Sequence, residues 1–286
     1  MNATAPARVA VIGGGIMGSG IAETAARAGC EVTVIDVAAA DTVLPRIDKS
    51  LARAVSSGKL SDDDARATLS RISAAPNLSV LDEQTVIIEA VPEIEELKLD
   101  LFARLDDIAR PDALLATNTS SIPVARVAAA TTRPEKVIGV HFFNPVPVLP
   151  LVEVIPSMLT APETVDAAVW FATEVLGKRV IHAKDQAGFV VNALLIPYLL
   201  SAVRLFDAGV ATAEDIDQGM VDGCAHPLGP LALIDLIGID TTVAIADALH
   251  AEFKEPHLVA PPALRRMCDA GLLGRKSGHG FYQYTR

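Results

Sequence analysis

Between a β-branched run and a helix-forming run, the chain carries Gly13-Gly14-Gly15-Ile16-Met17-Gly18. Glycines at 13, 15 and 18 fit G-x-G-x-x-G, a spacing that restricts the surrounding fold tightly. It asks for a strand ending at Gly13 (RVAVIG from Arg8), a helix opening at once (Ile16 to Ala28, closed by Gly29), and room for a phosphate between them. Gly13 permits the tight turn, Gly15 lets the backbone approach a pyrophosphate, and Gly18 allows close helix packing. The helix N-terminus adds unsatisfied N–H donors and a partial positive charge. A glycine-rich turn alone is an ordinary loop, but here Asp36 ends a second strand, Glu31 to Asp36, at the distance where an acid accepts both ribose hydroxyls. Asp36 would repel a 2′-phosphate, and Val37, Ala38 and Ala39 bring no arginine to hold one, so NAD is favoured over NADP.

The pattern continues as alternating strands and helices. Helical stretches are expected over 41–57 and 61–71, the second capped by Ser61 before Asp62, Asp63 and Asp64. Strands are expected at Thr85 to Val91 and Leu114 to Thr117, with an amphipathic helix from Ile94 to Ala109 between them. VIGVHFF, LVEVI and RVIHA follow, the last after a helix from Pro162 to Leu176, and they extend the sheet in an antiparallel or mixed sense. Such alternation implies a parallel sheet covered on both faces. From Gly188 the alternation stops: Asn192 to Ala208 and Ala213 to Asp222 read as helices, and Pro230 to His250 as one or two more. The expected organisation is α/β, with a Rossmann-like dinucleotide-binding domain over 1–187 and an all-helical domain over 188–286.

A net charge of −11 argues against a nucleic-acid surface, and an anionic substrate would need a local basic patch. Cys30, Cys224 and Cys268 lack metal spacing, and the MNATAPARVAVIG terminus reads as neither a signal peptide nor a membrane span. A cytoplasmic protein with no membrane partner is expected.

Residues 141–154, HFFNPVPVLPLVEV, place His141 and Glu153 inside strand-like apolar runs joined by a proline-rich turn. A buried carboxylate costs several kcal/mol unless it is paired. Two strands across a compact turn bring Glu153 to the imidazole, an arrangement suited to a general base. Taken alone, the pair reads first as structural, because ion pairs also shift pKa values without any catalysis.

These features stand in order with Glu89-Ala90-Val91-Pro92-Glu93, Thr117-Asn118-Thr119-Ser120-Ser121, His141-Phe142-Phe143-Asn144-Pro145, DQAGFVVN (185–192), HPLGP (226–230), LIGIDT (236–241) and GRKSGHGFY (274–282). With them the chain resembles the L-3-hydroxyacyl-CoA dehydrogenase family nearly end to end, most closely its stand-alone bacterial branch acting on 3-hydroxybutyryl-CoA. The resemblance implies reversible oxidation of a (3S)-3-hydroxyacyl-CoA by NAD in a homodimer joined through the helical domain. By the same resemblance His141 is the base, Glu153 the carboxylate that holds it, and Ser120 and Asn192 the groups on the substrate oxygen. Gly13, Gly15, Ile16, Met17, Gly18, Asp36, Glu93, Lys98, Asn118, Ser120, Asn144 and Lys276 would line the cofactor site, and Ser50 and Lys59 would meet coenzyme A.

Each assignment has a plainer alternative. Ser120 could cap a helix starting near Ile122, Lys98 could be solvated beside Glu95 and Glu96, and Asn192 could be a satisfied polar residue. Leu149-Pro150 stands where many relatives carry Met-Lys, and Ala193 where an arginine is common. Rival readings are a dehydrogenase of a free hydroxy acid or sugar acid, and a non-catalytic NAD-binding protein.

Overall fold

The computed structural model describes residues 7–284. The expected domains 1–187 and 188–286, and the amino-terminal stretch judged for a leader, also include residues 1–6 and 285–286, which lie outside the described residues. Two compact units divide between Asp185 and Gln186.

The first unit is built on β1 (Arg8–Ile12), α1 (Ile16–Arg27), β2 (Glu31–Ile35), α2 (Ala40–Ser56), α3 (Asp62–Ser70), β3 (Ile72–Ala75), β4 (Val86–Glu89), α4 (Glu95–Ile108) and β5 (Leu114–Thr117). It continues through α5 (Val124–Ala129), β6 (Val137–Phe142), β7 (Leu151–Ile155), α6 (Pro162–Trp170) and β8 (Arg179–His182). The eight strands form one sheet in the order β3-β2-β1-β4-β5-β6-β7-β8. It is parallel from β3 to β6; β7 runs antiparallel to β6, and β8 parallel to β7. The order reverses between β1 and β4, so a ligand crevice is expected at the carboxyl ends of these strands.

Central strands of a parallel sheet are buried on both faces and read as near-continuous apolar runs. β1 shows the consequence: Val9 and Val11 enter one core layer with Ile21, Val43, Phe142 and Phe171, while Ala10 and Ile12 enter the other with Phe102, Leu105 and Leu115. Phe102 and Phe142 are wholly buried, and each such side chain contributes roughly 1.5–3 kcal/mol.

Two local expectations change. β3 was not foreseen, since ISAA carries small side chains and no alternation; its pairing with β2 supplies what local propensity does not. The helix over 162–176 is α-helical only to Trp170 and ends in a π-helical turn, Phe171–Val175, where Leu176 N–H reaches the Phe171 carbonyl. The stretch over 230–250, expected as one or two helices, is two, broken at Gly238, whose φ of 106° interrupts the helix. Ser61 does cap α3, accepting the Asp64 N–H at 3.0 Å.

The second unit contains α7 (Val191–Asp207), α8 (Ala213–Cys224), α9 (Pro230–Ile237), α10 (Ile239–Phe253) and α11 (Pro262–Asp269), the last not foreseen. Leu199, Leu200, Val203, Leu231, Ile234 and Leu249 centre its core. Buried carboxylates fix its carboxyl-terminal segment: Asp235 accepts from the Phe281 and Tyr282 N–H groups and the Tyr284 hydroxyl, and Asp217 from the Tyr282 hydroxyl. Among the described residues no helix is long and apolar enough to cross a membrane.

Candidate active site

Gly13 turns the chain out of β1 with φ of 99°, and a Cβ there would stand 2.5 Å from the Ala90 carbonyl oxygen. A Cβ on Gly18 would stand 1.7 Å from the Gly13 carbonyl oxygen, so only glycine lets α1 start this close. Gly15 differs: a Cβ there would meet nothing within 4 Å. It is the N-cap of α1 and supplies no side-chain cap, leaving the first-turn N–H groups to a ligand. A dinucleotide pyrophosphate fits this open corner. Gly18→Ala is therefore expected to impair folding. Gly15→Ala is expected to keep stability within about 0.5 kcal/mol, yet to weaken NAD by about tenfold, an effect of roughly 1.4 kcal/mol. Thermal denaturation and NAD titration by fluorescence check this; equal stability losses in both variants would contradict it.

Asp36, just past β2, is more occupied than expected. One carboxylate oxygen accepts the Gly14 N–H at 2.8 Å, the other the Ala38 and Ala39 N–H groups at 3.0 and 2.9 Å. Burial pushes its carboxyl upward, but these three donors and Arg46 outweigh that and hold it below the usual carboxylate range. The acid thus shapes the fingerprint loop as well as carrying the charge expected to face the ribose. Arg46, from α2, donates to the Gly14 carbonyl and was not anticipated. Ile16 is exposed, whereas Met17 packs against the core.

His141 and Glu153 are register partners on the antiparallel strands β6 and β7. His141 Nδ1 lies 2.7 Å from Glu153 Oε2, with the histidine 6 % exposed and the glutamate 0 %. A carboxylate only accepts, so Nδ1 carries the hydrogen and Nε2 holds the lone pair of a base. Phe143 packs edge-on against the imidazole, ring centroids 4.6 Å apart. Lys178, preceding β8, secures the proline-rich turn by donating to the Val146 and Leu149 carbonyls at 2.6 and 2.7 Å. The Leu149 carbonyl is therefore held by a buried lysine from elsewhere in the chain. Burial and the like charge of Arg27 pull that ammonium below the usual lysine range.

Ser120 follows β5 and does not cap a helix at Ile122: α5 begins at Val124, and its Val124 and Ala125 N–H groups are bound by the Asp185 carboxylate, both at 2.7 Å. Glu93 organises the Ser120 turn instead. Its Oε1 accepts the Thr119 hydroxyl at 2.6 Å, the Ser120 and Ser121 N–H groups at 2.8 and 3.0 Å, and the Ser120 hydroxyl at 3.3 Å. Nor is Lys98 a solvated partner of Glu95 and Glu96. It is fully buried, 2.8 Å from Glu89 and 3.0 Å from Glu93. Burial pushes the Glu93 carboxyl up, but the Lys98 charge and the hydrogen bonds from Thr119, Lys98 and Ser120 bring it down to about 2. Asn118 Oδ1 accepts the Phe142 N–H at 2.8 Å and ties this turn to the strand carrying His141.

A cavity of about 320 Å³ opens within the same unit, lined by Ile16, Glu23, Arg46, Ser50, Arg53 and Asn144 among others. It brings together Ser50 and Asn144, and Arg46 and Arg53 form a basic patch that the sequence reading did not place. Burial raises the Glu23 carboxyl despite the Ser50 hydrogen bond and Arg27. Lys59 is exposed beyond the end of α2 and does not line this cavity. In the helical unit, Asn192 is buried in the first turn of α7, and Lys276 pairs with Asp240 at 2.5 Å.

The family profile described as 3-hydroxyacyl-CoA dehydrogenase, NAD binding domain, matches residues 8–186, and that family's C-terminal-domain profile matches residues 188–284. A relative named 3-hydroxybutyryl-CoA dehydrogenase from Mycobacterium tuberculosis is 53% identical over 280 residues, covering 97% of this chain and 98% of its own. The crystal structure of M. tuberculosis FadB2 has a TM-score of 0.96 and 52% identity, covering 98% of this chain and 100% of that one. That of (S)-3-hydroxybutyryl-CoA dehydrogenase PaaH1 from Ralstonia eutropha has 0.91 and 39%, covering 99% and 100%. With NAD as its cofactor, the chain belongs to the 3-hydroxyacyl-CoA dehydrogenase family.

Proposed function

We propose that the chain interconverts (3S)-3-hydroxyacyl-CoA, foremost 3-hydroxybutyryl-CoA, and the corresponding 3-ketoacyl-CoA. The observation that carries this reading is the buried 2.7 Å contact between His141 and Glu153 in a unit that also holds the dinucleotide fingerprint. An alcohol gives up hydride only as its proton leaves, so the reaction needs a positioned base. His141 Nε2 takes the 3-hydroxyl proton while the C3–H bond breaks and the carbonyl forms. NAD, when bound, supplies the hydride acceptor. Glu153 faces the resulting imidazolium with a carboxylate, stabilising the charge that develops during the reaction. Ser120 orients the substrate oxygen from its turn on Glu93; Asn192, in the other unit, is assigned its polarising role by the family resemblance. Arg46 and Arg53 beside Ser50 supply the local basic patch that an anionic coenzyme A requires of a chain carrying −11.

A homodimer through the helical unit and a cytoplasmic location complete the proposal. The dimer is supported by apolar side chains left outward on α7, where Leu194 is 73% exposed and Leu205 and Phe206 are also open.

Initial rates of NADH formation with (3S)-3-hydroxybutyryl-CoA and with free 3-hydroxybutyrate test the substrate class. The thioester is expected to lead in kcat/KM by about 10²-fold, or roughly 2.7 kcal/mol. Equal rates would replace this reading with that of a free hydroxy-acid dehydrogenase.

A further inference from the structure

We propose that Glu89 is a positioning residue for hydride transfer, acting through Lys98 and Glu93 to fix the Ser120 turn. The inference rests on the role given to Ser120 above. Glu89 ends β4, flanked in register by Ile12 of β1 and Thr117 of β5, and is fully buried. A carboxylate in the centre of a parallel sheet is costly, and this one is fully committed. Its Oε1 accepts the Val91 N–H and the Lys98 ammonium, both at 2.8 Å. Its Oε2 accepts Lys98 at 3.0 Å and the Thr117 hydroxyl at 2.6 Å.

Lys98 is thereby tethered at both oxygens of Glu89 and aimed at Glu93 Oε2, 3.0 Å away. That contact leaves Glu93 Oε1 to gather the Thr119 hydroxyl and the backbone of Ser120 and Ser121. The chain of charges runs from the floor of the sheet to the Ser120 turn without a gap. A pair needed only to anchor α4 would not require its ammonium to be shared with a second carboxylate that binds three consecutive residues of a loop. Networks of this kind hold a reacting group in place, and small displacements of such groups carry large rate penalties.

A double-mutant cycle tests the proposal, with kcat for the hydroxyacyl-CoA as the readout. Glu89→Gln keeps the shape and removes the charge. It is expected to lower kcat by about tenfold in the otherwise native enzyme. In a Ser120→Ala background the same change is expected to cost less than about twofold, because the group being positioned is already gone. Equal losses in both backgrounds, or no loss from Glu89→Gln, would overturn the proposal. If Ser120→Ala itself leaves kcat unchanged, the Ser120 reading fails and the proposal falls with it; if Ser120→Ala is impaired and the losses add, only the Glu89 proposal fails. Should Glu89→Gln not fold, Thr117→Val removes one donor while Glu89 stays charged. The same cycle then applies, with non-additivity expected and additivity overturning.

Discussion

Replacing His141 by alanine is expected to lower kcat for 3-hydroxybutyryl-CoA oxidation by about 10²- to 10⁴-fold. That corresponds to roughly 2.7–5.5 kcal/mol of barrier, with NAD affinity nearly intact. The fingerprint loop is held by its own bonds, the Gly14, Ala38 and Ala39 N–H groups on the Asp36 carboxylate, and these remain when the imidazole is removed. Fold stability is a separate matter. The substitution leaves the Glu153 carboxylate in a site that is 0% exposed, so some destabilisation is also expected. Rates are therefore compared below the variant's melting temperature, with NAD titration in parallel. Turnover close to that of the native enzyme would remove His141 from the role of base. Turnover lost together with NAD binding would show a folding defect.

Lys98→Ala is expected to destabilise the first unit by about 3–5 kcal/mol, since removing one member of a buried pair strands the other's charge. Here two carboxylates are stranded, Glu89 wholly buried and Glu93 in part. The pH dependence gives a second reading. The Glu93 carboxyl, held down to about 2 against its ordinary 4.5, contributes stability that is fully present above 4.5 and is lost as pH falls toward 2. Without Lys98 the upward push of burial meets less opposition, so the acid-unfolding midpoint should move to higher pH. Urea denaturation at neutral pH and an acid titration by circular dichroism measure both effects. A loss below about 1 kcal/mol, typical of an exposed ion pair, with an unchanged acid limb, would contradict the burial of this network.

The parts of the site that were legible in the sequence share one property: their partners are fixed by local chain geometry. The fingerprint lies between a strand and the helix that follows it. The His141–Glu153 pair follows from two alternating strands joined by a short turn, because the side-chain period of two leaves few ways to register them. The functional groups not anticipated depend on long-range placement. Arg46 and Arg53 lie on α2, and their position beside Ser19, Gly20 and Asn144 follows from the packing of the unit. Asp185 caps α5 from 61 residues away, a distance that hides the true cap from a local reading in which Ser120 was the plainer candidate. Glu89 was within reach of the reasoning already applied to Glu153. A carboxylate inside TVIIEAV demands a partner, and Lys98 lies nine residues on, yet its neighbours Glu95 and Glu96 suggested a solvated face. Elements with weak local signals, such as β3 and the π-helical turn after α6, are set by pairing and packing.

The most direct test of hydride transfer from C3 uses (3S)-3-hydroxybutyryl-CoA deuterated at that carbon, incubated with the enzyme and NAD, with the reduced nicotinamide analysed by mass spectrometry. The expected result is reduced cofactor carrying one deuterium for each 3-ketoacyl-CoA formed. Unlabelled NADH, or ketone formed without reduced cofactor, would contradict the account.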